Sequence, residues 1–194
     1  MISMNLVITS NLFIRAALRT ALFSSFVMLF VTMTSAQQPA ALSQQIYVLK
    51  QLEPKLKTIG VMGSSISDKE MQDISRLGLS QGIEFVFARP KSPQEISLLY
   101  NQMVAQKKIQ MIWLPYANDE TMLGIGFQFL RENTPLDKIG LCAPKKPLVE
   151  SGALCSVQKE EGKVVVYLNK KSAELLDIKV PASDPNSPVI YIVL

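Results

Sequence analysis

Between residues 58 and 114, short apolar segments alternate with amphipathic stretches. The apolar segments have the length and composition of buried strands and cover residues 58–62, 83–87 and 109–114. The stretches between them are long enough for a helix to cross a sheet and return. Strands that alternate with helices in this way form βαβ units, whose sheets are mainly parallel. The pattern predicts an α/β fold, a single three-layer domain with a mainly parallel sheet between two layers of helices.

Capping residues mark the first two helices. A helix is expected over residues 43–52, before the first strand. Ser67 and Glu70 have the spacing of a capping box, in which each satisfies a backbone N–H of the other. Gly82 suits the end of the helix that this box begins.

The next two helices have similar signals. Ser92, Pro93 and Glu95 supply a cap, a proline at the first helical position and a reciprocal glutamate. A further helix begins near residues 118–120, where acidic side chains suit the positive end of the helix dipole. Its expected core face consists of Met122, Ile125, Phe129 and Leu130.

Beyond residue 138 the pattern changes to strands in closer succession. We expect strands at residues 139–143, 153–157 and 163–168, a short helix over 169–176, a proline-rich loop over 181–188, and a final apolar run at 189–194. The final run is expected to add a strand to the sheet or to pack on a partner.

The first 36 residues have the order of a secretory signal. Arg15 and Arg19 are their only charges, an apolar core follows over residues 21–33, and Thr34-Ser35-Ala36 places small residues before a cleavage point. We predict a signal peptide over residues 1–36, a flexible mature terminus over 37–42 and one α/β lobe over 43–194, in a periplasmic or otherwise secreted protein. An uncleaved N-terminal anchor is the alternative.

Charge does not indicate a nucleic-acid partner. The formal net charge is +4, and removing Arg15 and Arg19 with the signal lowers it to +2. The lysines occur as scattered pairs, which are typical of a solvated surface.

The two cysteines fall in predicted neighbouring strands. Cys142 and Cys155 would meet an oxidising compartment after export, and adjacent strands lie about 4.8 Å apart. A cross-strand disulfide is one expectation. Two buried free thiols are the other.

The residues that commonly carry catalysis are missing or otherwise explained. The chain has no histidine, which removes the usual nucleophile–base pairs and histidine metal sites. Asp119-Glu120 fits a helix start, and Glu160-Glu161 fits a solvated turn. We expect no enzyme, no cofactor and no metal site.

Binding is the better expectation. In open parallel sheets, ligands collect beyond the carboxyl ends of the strands. The polar segments at those ends give the candidate ligand-binding residues Ser64, Ser65, Tyr116, Asn118 and Asp119. The first two offer hydroxyls and backbone N–H groups that suit a carboxylate or phosphate. Ordinary turn and cap chemistry is the alternative explanation for both segments.

Six motifs follow one another in a characteristic order along residues 44–181. They are Gln45-Ile46-Tyr47-Val48-Leu49-Lys50 with Leu52, Lys57-Thr58-Ile59-Gly60-Val61-Met62, Gly82-Ile83-Glu84-Phe85, Ile112-Trp113-Leu114-Pro115 with Asn118, Ser151-Gly152-Ala153-Leu154-Cys155-Ser156, and Tyr167-Leu168-Asn169-Lys170-Lys171-Ser172-Ala173-Glu174-Leu175-Leu176 with Pro181. Together they resemble the second lobe of periplasmic substrate-binding proteins of ABC importers, in the tryptophan/tyrosine-type group with a type I fold. The resemblance implies a ligand-binding loop at Asn118.

The departures from that family are equally specific. A first lobe has no counterpart in these residues, and residues 157–162 stand where the family has a glycine-ended strand and a long returning helix. Ala143-Pro144 stands where an acidic residue often follows the fourth strand. One lobe leaves a small ligand exposed on one side, whereas good sites bury about 70–90% of it.

Two functions follow from these features. The first is an exported solute-binding-like domain that binds a small ligand of the amino acid or carboxylate class and presents it to a membrane transporter or sensor. The alternative is a periplasmic protein-interaction or regulatory module without ligand binding. A homodimer would restore a two-sided cleft in either case.

Overall fold

The computed structural model describes residues 38–181 and 187–194. The predicted signal peptide, residue 37 and most of the proline-rich loop lie outside the described residues. The strands are β1 Gln38–Pro39, β2 Thr58–Met62, β3 Glu84–Ala88, β4 Met111–Trp113, β5 Gly140–Cys142, β6 Cys155–Glu160, β7 Lys163–Leu168 and β8 Val189–Val193. The helices are α1 Leu42–Leu52, α2 Asp68–Gln81, α3 Pro93–Lys107, α4 Phe127–Asn133, α5 Lys146–Glu150 and α6 Lys170–Leu175, with a π-helical turn at Met122–Gly126.

The strands form one mixed, mainly parallel sheet in the order β3-β2-β4-β5-β6-β7-β8. Neighbours from β3 to β6 are parallel, and so are β7 and β8. The β6–β7 pair is an antiparallel hairpin, and β1 adds antiparallel to β6. The α/β prediction and its mainly parallel sheet are confirmed, and the apolar run near the end of the chain is a strand of this sheet.

Two hydrophobic clusters lie on opposite faces of the sheet. The first core cluster includes Ile59, Val61 and Trp113 with the inner sides of α1 and α2. The second includes Met62 and Ile112 with the inner sides of α3 and α4. Because successive side chains of a strand point to opposite faces, this division places helices on both sides, as three layers require.

Helix starts follow the sequence closely at α2 and less closely at α3. Ser67 Oγ accepts the Glu70 N–H at 3.2 Å, and the Glu70 carboxylate accepts the Ser67 N–H at 2.9 Å, which is the predicted capping box. Ser92 makes no side-chain cap to α3. The Glu95 carboxylate instead accepts the Lys91 N–H at 2.9 Å, one residue earlier than predicted.

The prediction of an uninterrupted helix after residue 120 is wrong, because the segment is kinked at Gly124. A π-helical turn, in which Gly124 has non-helical angles (φ −93°, ψ −114°), precedes α4. The kink at Gly124 leaves Ile125 68% exposed and Phe127 buried. Met122, Phe129 and Leu130 pack in or against the second core cluster, as predicted. Gly126 then passes so close to α3 that an added Cβ would lie 2.7 Å from Ile96 Cδ1.

The segment predicted to be a flexible terminus is ordered by the sheet. Gln38 and Pro39 pair with β6, and the Ala40 N–H donates to the Val157 carbonyl at 3.2 Å. Ala40 is buried, and α1 begins at Leu42. The short strand β5 pairs with β6 only at Cys142↔Cys155, so the rest of β6 has room for this partner.

Trp113 is a buried core residue, as its strand position predicts. Its indole Nε1–H donates to Gln45 Oε1 at 2.9 Å, and Gln45 Nε2 donates to the Ala40 carbonyl at 2.7 Å. Gln45 is itself buried on the inner side of α1, beside Ile46 and Leu49. This chain of hydrogen bonds joins β4, α1 and the segment before it.

None of the helices within residues 38–181 and 187–194 has the length and apolarity to cross a bilayer.

Candidate functional site

The strand order places two loops side by side at one edge of the sheet. The chain leaves β2 through α2 to reach β3, then crosses the opposite face through α3 to reach β4 on the other side of β2. The connections therefore diverge between the carboxyl ends of β2 and β4. In open α/β sheets this divergence opens a crevice where ligands bind. We call the edge at which β2 to β5 end the carboxyl edge.

The Asp119 carboxylate joins the loops that follow β2 and β4. Its Oδ2 accepts the Ser64 N–H at 2.6 Å, and its Oδ1 accepts the Ser64 hydroxyl at 2.8 Å. Oδ1 also accepts the Met122 N–H at 3.2 Å, so that Asp119 caps the helical segment after β4. Asp119 is 5% exposed, and a buried carboxylate needs such donors to offset its desolvation.

Gly63 allows this approach. A Cβ added there would lie 2.9 Å from Ile66 Cγ1 and 3.5 Å from Asp119 Oδ2. Real Cβ atoms essentially never approach another heavy atom within 3.0 Å. The small residue after β2 is therefore required by the packing of the loop itself.

The expectation that Ser64 offers free donors to an anionic ligand is wrong. Both its N–H and its hydroxyl are donated to Asp119, because the fold brings this internal carboxylate to the place an external one would occupy. The cap chemistry considered for these segments explains the contact. Sequence spacing gave no signal for it, because the two residues are far apart in the chain and meet only through the strand order.

Tyr116 lies half-buried beside the first core cluster. Its hydroxyl oxygen is buried and makes no hydrogen bond among the described residues. Desolvation, with a smaller contribution from the nearby Glu70 carboxylate, raises the pKa of Tyr116 well above its ordinary value. Hydrogen bonds from Ser67 lower the pKa of Glu70. The carboxyl edge near Tyr116 is thus an acidic environment with one unsatisfied hydroxyl.

The two remaining predicted site residues are accessible. Ser65 and Asn118 are exposed, and each is adjacent in sequence to a partner of the Ser64–Asp119 contact. Ile125, which the sequence placed in the core, is exposed on the π-helical turn three residues after Met122. The spacing of a regular helix could not predict that Ile125 is exposed, because only the irregular turn turns its side chain outward.

Near the end of β3, an ion pair holds the neighbouring loop. Arg89 lies 2.9 Å from the Asp68 carboxylate at the start of α2, and its guanidinium also donates to the Ile66 carbonyl at 3.3 Å. The loop that carries Ser64 and Ser65 is therefore tied to β3 as well as to Asp119.

The cysteines are direct neighbours in the sheet. Cys142 and Cys155 are register partners on β5 and β6, and both are free and buried in this structure. A hydrogen bond with Cys155 is the larger cause, and burial the smaller, of a raised pKa of the Cys142 thiol. The pair belongs to the first core cluster, and the disulfide and the two free thiols both stay predictions.

Neither a cluster of metal ligands nor the 240 Å³ cleft lies at the carboxyl edge among the described residues. Residues 38–181 and 187–194 hold no group of three or more His, Cys, Asp or Glu side chains suited to a metal ion. A cleft of about 240 Å³ lies at the opposite edge, where β4 and β5 begin. It is lined mainly by Ile109, Met111, Ile139 and Ile178, with Asp137 and Lys138 at its polar side. The Asp137 carboxylate already accepts the Tyr100 hydroxyl at 2.7 Å.

Three solved structures share this fold. A domain from Streptococcus pneumoniae, described as an ABC domain in complex with L-Trp, has a TM-score of 0.61 at 23% identity and is matched over 74% of this chain and 58% of its own. A conserved domain protein from Vibrio cholerae has a TM-score of 0.61 at 19% identity, over 73% of this chain and 57% of its own. The ligand-free, open form of CD0873, a substrate-binding protein with adhesive properties from Clostridium difficile, has a TM-score of 0.62 at 17% identity, over 80% and 61%.

These likenesses establish the fold as that of a substrate-binding-protein lobe. The chain spans less than two thirds of the length of each of these proteins, so the likeness is to part of them. The resemblance proposed from the sequence is confirmed at the level of fold. No protein-family model matches the sequence, and no curated protein matches it either.

Proposed function

We propose that this protein is an exported solute-binding-like lobe that holds a small ligand at the carboxyl edge, between the loops after β2 and β4. The observation that carries the proposal is the Ser64–Asp119 contact, which fixes these two loops together at the divergence point of the sheet. A rigid pair of loops is what a binding site on such a fold requires. The substrate-binding proteins with the same fold support the solute-binding class.

The charges at the carboxyl edge favour an amino acid over other classes of small ligand. Asp119 occupies the Ser64 donors, and Glu70 adds a second carboxylate near Tyr116. Two carboxylates disfavour a phosphate or a dicarboxylic acid, whereas the ammonium group of a zwitterion is compatible with them. Asn118 supplies an amide for the ligand's polar groups, and the exposed Ile125 supplies an apolar contact for its side chain.

A single lobe needs a second surface to enclose such a ligand, because good sites bury most of the ligand. In this proposal a membrane transporter or sensor supplies that surface when the loaded lobe docks on it. The ligand then strengthens docking and docking strengthens ligand binding, since the coupling free energy is reciprocal.

Thermal denaturation with a panel of amino acids and simple carboxylates tests the ligand. A ligand at 100 times its Kd stabilises the folded state by about 2.7 kcal/mol. We expect one or more amino acids, and no dicarboxylate, to raise the Tm. The Asn118→Ala variant should weaken this shift, while Asn101→Ala, an exposed change on α3 away from the site, should keep it. No shift with any amino acid contradicts the proposal.

One observation favours the second function, a protein-interaction or regulatory module without ligand. The donors of Ser64 are satisfied internally, so the contact between the two loops forms without a bound solute. For such a module, binding to a membrane partner is insensitive to amino acids. Partner binding should be abolished by Ile125→Arg. It should be retained in Leu136→Arg, which changes a similarly exposed apolar residue elsewhere.

Export after cleavage near Ala36 is part of the same proposal. The order of charge, apolar core and small residues over 1–36 supports it. Mass measurement of the protein recovered from the periplasm or the medium should give a product that begins at Gln37. Retention of the full mass in the membrane fraction would support the uncleaved anchor instead.

A further inference from the structure

The strand β8 is the edge strand at one end of the sheet, and its outer side is unpaired among the described strands. It pairs with β7 on one side, and no described strand pairs with its other side. The segment 189–194 has no charged residue, no glycine and no proline. An edge strand of this composition lacks the usual devices that prevent pairing with another strand.

Hydrogen bonds to β7 show which backbone groups face outward. The Val164 N–H donates to the Pro188 carbonyl at 3.2 Å, and the Leu194 N–H donates to the Leu168 carbonyl at 2.8 Å. Bonding in a parallel pair alternates along the strand, so Pro188, Ile190, Ile192 and Leu194 bond to β7. Val189, Tyr191 and Val193 therefore present their N–H and C=O groups to the open edge. Within the described residues, only the Val189 N–H among these groups has a partner, the Ser187 hydroxyl at 3.2 Å.

The side chains of β8 add an apolar surface to that edge. Val189 and Tyr191 pack against the first core cluster. Ile190 and Ile192 lie on the other face, where they are in register with the buried Val165 and Tyr167 of β7. Ile192, Val193 and Leu194 are 37–46% exposed.

The opposite end of the sheet differs. The edge strand β3 begins with the exposed Glu84, and Arg89 and Pro90 follow its last residue. Charged residues and proline at a strand edge oppose pairing with another chain. The two ends of the sheet are thus unequal, and β8 is the one suited to an added strand.

From these observations we propose that the outer edge of β8 pairs antiparallel with the β8 of a second copy, which joins two sheets into one across a two-fold axis at Tyr191. Antiparallel pairing about Tyr191 places Val189 opposite Val193 of the second copy. In each copy this gives partners to the outward groups of these three residues other than the Val189 N–H, which already donates to Ser187. A two-fold interface must be self-complementary. An uncharged strand meets this condition, because no like charges face each other. Ile190 and Ile192 of both copies then form one apolar strip. This inference is independent of ligand binding.

Sedimentation equilibrium of the full chain tests the association. We expect a reversible monomer–dimer equilibrium. Val193→Pro removes an outward N–H but no bond to β7, and Val193→Lys places like charges at the joint. Each should weaken dimerisation by roughly tenfold or more. The matched control Leu79→Lys changes an exposed residue of α2 and should leave the equilibrium unchanged. Circular dichroism verifies that each variant is folded.

Amide hydrogen exchange of the wild-type chain locates the β8–β8 interface without any substitution. In the dimer the Tyr191 and Val193 amides should be protected, and dilution below the dissociation constant should remove this protection. The Ile192 amide, which bonds to β7, should stay protected throughout. A wild-type chain that remains monomeric up to its highest soluble concentration overturns the proposal. So does a dimer that persists in both Val193 variants, or one in which the Tyr191 and Val193 amides exchange freely.

Discussion

The carboxyl edge and the outer edge of β8 use their polar groups in opposite ways. At the carboxyl edge, polar side chains are concentrated but satisfy one another, with Asp119 accepting both donors of Ser64. At β8, the side chains are apolar while backbone groups of Tyr191 and Val193 face away from the sheet. Unpaired backbone groups, and not the number of polar residues, distinguish a strand edge that can pair with another strand from two loops that are already joined to each other.

The largest effect should follow from removing the carboxylate at the carboxyl edge. Asp119→Ala leaves the N–H and the hydroxyl of Ser64 without their partner in a part-buried site, while the Met122 N–H keeps the Asp119 carbonyl at 3.1 Å. We expect a loss of about 2–4 kcal/mol in the free energy of unfolding. Urea denaturation measures it, with the exposed neighbour Glu120→Ala as control, which should stay within about 0.5 kcal/mol. If both variants lose the same small amount of unfolding free energy, the Asp119 carboxylate does not stabilise this edge through its hydrogen bonds to Ser64.

A smaller loss is expected from crowding the same loop. Gly63→Ala places a methyl group 2.9 Å from Ile66 Cγ1, where the loop must shift. Overpacking of this kind costs about 1–3 kcal/mol. Ser65→Ala, an exposed change two residues away, serves as the control. If the two variants unfold at the same urea concentration, the loop is looser than its contacts indicate.

Acid should weaken the carboxyl edge through Glu70. Its carboxylate accepts hydrogen bonds from Ser67, which lower its pKa below the ordinary 4.5. A depressed folded pKa contributes stability that is present above pH 4.5 and is lost as the pH falls through the folded value. The difference in unfolding free energy between wild type and Glu70→Gln should therefore shrink as the pH falls below about 4.5. A difference that is constant down to pH 2 would exclude this contribution.

The smallest effect on stability is expected at β8. Val193 is 46% exposed, so Val193→Lys should change the unfolding free energy of the monomer by no more than about 0.5 kcal/mol. Denaturation at a concentration where the chain is monomeric measures this. A loss comparable with that of Asp119→Ala would mean that β8 is part of the core and not an available edge.

Local signals predicted the elements well wherever the chain itself determines them. The capping box of Ser67 and Glu70 and the short helix predicted over 169–176 depend only on near neighbours; Asn169 caps this helix by accepting the Ser172 N–H at 3.0 Å. The kink at Gly124 was not predicted, and it exposes Ile125, which a regular helix would bury. The spacing of apolar residues carries no information about such a kink.

The candidate site was predictable in position but not in chemistry. The carboxyl ends of β2 and β4 follow from the alternation of strands and helices, and both predicted loops lie there. The pairing of Ser64 with Asp119 depends on which strands become neighbours, which local patterns do not determine. The strand β1 was missed for the same reason, since only β6 makes Gln38 and Pro39 extended.

Residue-resolved hydrogen exchange of the Ser64 amide tests the central claim most directly. If Asp119 satisfies the carboxyl edge internally, this amide exchanges slowly in the wild type and fast in Asp119→Ala. Its protection should also be independent of protein concentration, unlike that of Val193. A Ser64 amide that exchanges at the rate of an unstructured chain in the wild type would contradict the account.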